Sequence, residues 1–209
     1  IDSNGQVIAI DQALLDGGGG GGLTKTGAGT LILAGNNTYT GATAVTEGTL
    51  TVNGSIAAST LTTVDPGATL MGTGTVGAAM VSATAHVAPG NTIGTLNVTG
   101  DIDIEGVLDI EYDGLATPTI DVLNVTGILD ITDATVDFAQ LDNPLTGPVY
   151  VFATYGTLAG AEFASVVDLP GGYTIDYAWG GNSIALIPEP SAALLAALGL
   201  LALLRRRRA

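Results

Sequence analysis

The chain has 209 residues, 31 of them glycine, with 5% aromatics and no cysteine, so disulfides, thiolate nucleophiles and cysteine metal clusters are excluded. Net charge is −15, but the arginines all lie between positions 205 and 208, leaving residues 1–187 with Lys25 against 19 acidic groups, a net charge of −18. A surface with one cation has no electrostatic footprint for nucleic acid or anionic polymers, and divalent cations, neutral glycans or proteins fit better as partners.

Few aromatics with many glycines and threonines point to thin, closely stacked β-structure. The chain opens at Ile1 without methionine or a basic, apolar leader, and since the tail described below calls for export, the reading is of a fragment or trimmed chain. In residues 1–22, Gln6 to Asp11 alternate like a strand. Gly17 to Gly22 then form a six-glycine run with no side chain to pack, read as a flexible joint or wide turn. A phosphate loop would need a following helix and a lysine at the right offset, and a threonine-rich strand follows instead.

From Leu23 the pattern changes. Leu23-Thr24-Lys25 leads through Gly27 and Gly29-Thr30-Leu31 to Asn37-Thr38-Tyr39-Thr40-Gly41 and closes on Gly48-Thr49-Leu50. This stretch closely resembles the autotransporter-associated β-strand repeat, also called the passenger-associated transport repeat. The resemblance implies a right-handed parallel β-helix in a secreted bacterial surface protein. Periodicity leads the same way. Glycine followed closely by leucine recurs at Leu31, Leu50, Leu70, Leu96, Leu108, Leu129 and Leu158, with 19 residues in each of the first two intervals. A turn-then-strand unit of about 20 residues describes a solenoid, and loop insertions would account for the later, variable spacing. Residues 23–148 are assigned to this β-helix, with about eight rungs expected between residues 23 and 187.

Between Asp101 and Asp113 the alternation is clean. Ile102, Ile104, Leu108, Ile110 and Tyr112 share one parity and should face inward. Asp101, Asp103, Glu105, Asp109, Glu111 and Asp113 share the other, giving one exposed acidic face. A solvated outer surface is the plain reading of so many carboxylates. Calcium binding by these six residues is the second, although no EF-hand or nonapeptide pattern accompanies them. The third is paired-carboxylate acid–base chemistry on an extracellular glycan. His86 is the sole histidine, and nothing in the sequence supplies it with a partner, so no zinc site is expected. No cofactor is assigned. Asn36, Asn97 and Asn124 open glycosylation sequons but suit turn-capping roles.

Residues 149–187 hold most of the aromatics. A hairpin pairing Tyr173 to Trp179 with Ser183 to Leu186 across Gly180-Gly181-Asn182 is expected, and it would cap the solenoid. Residues 188–209 follow: Pro188, Glu189 and Pro190, an apolar run from Ala192 to Leu204, then Arg205, Arg206, Arg207 and Arg208. The prolines enforce extended backbone. Thirteen helical residues span roughly 20 Å, short of a bilayer core of about 30 Å, and the arginines would hold their end on the cytoplasmic side. This tail resembles the PEP-CTERM sorting signal of exported bacterial proteins, which implies a transmembrane helix and recognition by a membrane-embedded processing enzyme, exosortase.

The sequence therefore reads as an all-β, exported, non-enzymatic surface or matrix protein with a structural or adhesive role. Its expected partners are an exosortase-type enzyme, the inner membrane transiently, and exopolysaccharide or other surface proteins. The alternatives are a glycan-active enzyme and a calcium-stiffened adhesin.

Overall fold

A computed structural model describes residues 1–117 and 119–189. Its strands are short because the Gly-rich corners interrupt the chain every few residues, and they stack into three sheets. The first sheet holds β1 (Val7–Ile10), β3 (Thr30–Leu33), β5 (Thr49–Val52), β8 (Thr69–Gly72), β11 (His86–Pro89), β14 (Val107–Tyr112), β17 (Thr135–Gln140) and β20 (Ser165–Val167), in that order. The second runs from β2 (Leu23–Lys25) through β4 (Thr43–Val45), β7 (Thr62–Val64), β10 (Ala79–Val81), β13 (Ile102–Ile104) and β16 (Ile128–Asp130) to β19 (Thr157–Ala159). The third contains β6 (Ser55–Ile56), β9 (Thr75–Val76), β12 (Thr95–Val98), β15 (Val122–Val125) and β18 (Tyr150–Thr154), followed by β22 (Ser183–Pro188) and β21 (Tyr173–Trp179).

From β5 onward the chain visits the first, third and second sheets in turn, and each strand pairs in parallel with its counterpart one circuit later. The arrangement is consistent with a β-helix. Eight strands at about 4.8 Å apart make the first sheet about 34 Å long.

Parallel register stacks like on like. Leu31, Leu50, Leu70, Val87, Leu108 and Val136 form one continuous interior column, each fully buried. Ile102, Ile104, Leu108, Ile110 and Tyr112 are all buried, as their parity requires. Burying such leucines contributes about 1.5–3 kcal/mol each, and the thin cross-section leaves hardly an inward position polar.

Four expectations need adjustment. Val7–Ile10, set apart above in the segment 1–22, pairs with β3 and is the first strand of the stack. The glycine run is packed at its end: Gly41 donates its N–H to the Gly21 carbonyl at 3.0 Å, and a Cβ on Gly22 would overlap the Ala42 carbonyl. The Gly–x–Leu units also do not mark one sheet. They precede β3, β5, β8 and β14 in the first sheet, β12 in the third, and β16 and β19 in the second, so much of their irregular spacing reflects corners of one triangle and not insertions.

The fourth concerns Lys25, counted above as the surface cation. It is fully buried. Leu23 and Lys25 point inward while Thr24 is exposed, and Lys25 begins the interior column continued by Val45, Val64, Val81 and Ile104. Its ammonium donates to the carbonyls of Thr26, Gly27 and Glu47 at 3.0, 2.6 and 3.0 Å. Burial pushes its pKa down, opposed by the charges of Asp2 and Glu47.

Near the other end, the hairpin pairs Tyr173 with Pro188 and Trp179 with Ser183, and β22 adds antiparallel to β18. The hairpin thus closes the edge of the third sheet alone, while the inward-facing Val166 of β20 stays 39% exposed. Phe138, Phe152, Phe163 and Tyr177 pack in sequence beneath it, with ring centroids 5.3 to 6.3 Å apart. Among the described residues no helix is long and apolar enough to cross a membrane. The run 192–204, expected as a transmembrane helix, lies outside the described residues with Pro190 and Arg205 to Arg208, and the structure lends it no support.

Candidate functional site

The acidic residues of the 101–113 segment do not form one face. The chain turns a corner between β13 and β14, so carboxylates of equal parity all point outward but from two different sheets. Asp103, on β13, lies beside Asp130 of β16, and burial followed by the charges of Asp130, Glu105 and Asp133 raises its pKa. Asp101 accepts the Ile128 N–H at 2.7 Å, and Glu105 is exposed in the corner. Asp113 accepts from the Leu115 N–H at 3.0 Å and from Asn143 Nδ2 at 2.8 Å, contacts that hold its pKa below the ordinary value. Only Asp109 and Glu111 share a strand face. Among the described residues no three His, Cys, Asp or Glu side chains could together hold a metal ion, so the calcium reading gains no support.

What the structure does assemble is a cleft of about 310 Å³ on the outer side of the first sheet. Its floor is Met71, Ala88 and Ala139, outward residues of β8, β11 and β17. Asp109, Glu111 and Asp121 wall one side, and the turn Gly90-Asn91-Thr92 overhangs it. Gly90 has φ +97°, and a Cβ there would overlap the Thr92 carbonyl and come within 3.0 Å of Asp121 Oδ1, so only glycine lets this turn sit so close.

Asp121 is 1% exposed. Its carboxylate accepts the N–H of Gly94 at 2.7 Å and of Glu111 at 2.8 Å. Burial nonetheless dominates, and with the nearby charges of Glu111 and Asp109 pushes its pKa up to about 7. Asp109 is raised as well, chiefly by burial; the hydrogen bond and charge of His86 oppose this.

His86 therefore has a partner that the sequence did not reveal: Nδ1 lies 2.8 Å from Asp109 Oδ2. The two are 23 residues apart. A signal was present, since His86 stacks on Val107 in the next circuit and Asp109 is the next outward residue after Val107. A second ladder lies on the third sheet, where Asn124 donates to Asn97 Oδ1 at 2.9 Å and Thr154 donates to Asn124 Oδ1 at 2.6 Å. Two of the sequon asparagines are thus engaged with each other. Pro188 of the sorting motif ends β22, and the Glu189 N–H bonds to the Gly172 carbonyl at 2.9 Å, while Pro190 lies outside the described residues.

Residues 23–52 match the passenger-associated-transport repeat. Two extracellular serine proteases of Serratia marcescens are similar to the chain, at 54% identity over 83 residues and 49% over 84 residues. Each match takes in 40% of this chain and 8% of the protease. The adhesin BmaC autotransporter of Brucella suis biovar 1 (strain 1330) is 50% identical over 60 residues, 28% of this chain and 2% of the adhesin. The expectation of a non-enzymatic protein is overturned by the first two, which are named as proteases, although what matches in them is a repeat region. The likeness places the chain among exported, surface or extracellular passenger sequences, and residues 23–52 are its passenger-associated-transport repeat.

Proposed function

We propose that the chain is a right-handed β-helical stalk of an exported bacterial protein, which holds an attached functional region, protease-like or adhesin-like, away from the cell. The observation that carries this is the in-register stack of parallel strands running through the passenger-associated-transport repeat without interruption. A stack whose rungs contact only their neighbours propagates stiffness along one axis, which suits a spacer. The exposed surface, rich in carboxylates, favours neutral glycans or proteins of an extracellular matrix as contacts.

Sorting is assigned to residues 188–209, with Pro188, Glu189 and Pro190 as the recognition motif, the apolar run in the inner membrane transiently, and Arg205 to Arg208 on the cytoplasmic side. An exosortase-type enzyme would remove the helix. The domain reading is a β-helix over residues 23–148 joined by the strand Val7–Ile10, an edge-closing segment over 149–187, and the sorting tail.

The test is surface labelling of intact cells carrying an epitope at Gly19, where a side chain meets nothing within 4 Å. Labelling before lysis supports the stalk reading; an epitope reached only after lysis sinks it. Intact mass of the mature protein, compared with the Glu189→Ala, Pro190→Ala variant, tests the tail separately. Loss of the C-terminal residues in the wild type alone supports processing. Retention in both abandons it and leaves the stalk standing.

A further inference from the structure

Two inserts interrupt the regular circuit. Residues 113–121 join β14 to β15, and residues 141–149 join β17 to β18. They stack on each other through Gly114 N–H to Asn143 O at 2.8 Å and Asn143 Nδ2 to Asp113 Oδ1. The first insert folds back onto its own strand, with Asp113 N–H bonded to Thr119 O and Asp121 N–H to Glu111 O, both at 2.9 Å. At its base the buried Asp121 side chain ties three segments together: the insert, the N–H of Glu111 in β14, and the N–H of Gly94 in the turn that overhangs the cleft.

The charged surroundings of that side chain are one-sided. β14 presents Asp109 and Glu111. Asp109 is bonded to His86 of β11 and flanked by Asp137 of β17. The turn from Pro89 to Gly94 brings no charged group, and Asp113 is engaged by Leu115 and Asn143. Among the described residues the one ion pair is His86 with Asp109, so Asp121 has no counter-charge. An ionised carboxylate buried beside two others is unfavourable, and it gains by moving into water.

We propose that Asp121 is a proton-operated latch: the neutral acid keeps the 113–121 insert closed against β14 and the 90–94 turn, and ionisation loosens the insert and widens the cleft. The direction follows from linkage. In the closed state the carboxyl titrates near 7, whereas once exposed it returns towards its ordinary 3.8. The closed form thus binds the proton more tightly, and closure is favoured in acid. As pH rises from about 4 to about 7 the opening constant should climb by up to about tenfold per pH unit and level off above that. A surface protein with such a latch would expose Asp109 and Glu111 at neutral pH and cover them in acid.

Hydrogen exchange of the Gly94 and Glu111 amides in the full chain, corrected for the intrinsic pH dependence of exchange, tests this. The wild type should lose protection between pH 4 and 7, and Asp121→Asn, which cannot ionise, should give a flat profile. A flat wild-type profile overturns the latch, as does a slope that survives in Asp121→Asn. Should that variant fail to fold, Glu111→Gln removes a neighbouring charge and should bring the plateau to lower pH. A plateau that stays in place overturns the proposal as well.

Discussion

Replacing Lys25 with methionine tests whether a charged side chain inside the stack is held by backbone carbonyls and not by apolar packing. Methionine keeps an unbranched apolar stem and removes the ammonium. The carbonyls of Thr26, Gly27 and Glu47 then lose donors that sit at 3.0, 2.6 and 3.0 Å. A hydrogen bond from a charged donor contributes about 1.5–3 kcal/mol, and three of them set the upper limit of the effect. Against this, methionine avoids the desolvation of a buried ammonium, which costs several kcal/mol. The expected net loss is about 2–4 kcal/mol, or a fall in Tm on the order of 5–10 °C for a chain of this size. Because each rung contacts only its neighbours, the loss should concentrate in β2 and β4 and leave β14 and β17 untouched. A thermal melt combined with segment-resolved hydrogen exchange measures both parts. A Lys25→Met chain as stable as the wild type would mean that desolvation cancels the three bonds, and Lys25 would then not be a clamp.

The same physics gives two further predictions. Removing the imidazole with His86→Ala takes away the contact that opposes burial at Asp109, so the Asp109 carboxyl should titrate at higher pH by NMR. Its folded pKa is already above 3.8, so Asp109 favours the folded state in acid and loses that contribution as pH rises through the folded value. The pair is partly exposed, at 41% and 31%, so the variant should lose less than about 1 kcal/mol at neutral pH, and an unmoved Asp109 titration would refute the assignment. In the glycines, Gly54→Ala would drive a Cβ into the carbonyl oxygens of Gly35 and Ala34, whereas Gly19→Ala meets nothing within 4 Å. Chemical denaturation should show a loss of about 2 kcal/mol or more for the first and about 0.5 kcal/mol or less for the second. Equal stabilities would show that the rungs are not packed backbone to backbone.

These residues also mark how far a linear reading reaches. Strand parity was legible wherever leucine, isoleucine and valine alternate with polar residues, because burial of one face of a strand is written in period two. That is why Ile102 to Tyr112 were placed correctly and why the hairpin from Tyr173 to Ser183 was found by its glycine turn. The same rule applied to Leu23-Thr24-Lys25 puts Lys25 inside, yet its charge argued for the surface. Only the carbonyls of Thr26, Gly27 and Glu47, converging from two circuits, make the interior tolerable for an ammonium.

The amino-acid sequence by itself determined an all-β chain of short stacked strands, a passenger-associated-transport repeat at its start, and an acidic exterior. These follow from local pattern: glycine at corners, alternation in strands, and a motif contained within 30 residues. Tertiary structure alone decided that the acidic ladder splits between two sheets, that His86 meets Asp109, and that Asp121 is buried at the base of an insert. Each depends on register between circuits, whose lengths here run from 17 residues between Thr69 and His86 to 30 between Thr135 and Ser165. A corner that lengthens or shortens a circuit changes which side chains stack, and no periodicity along the chain records where those corners fall.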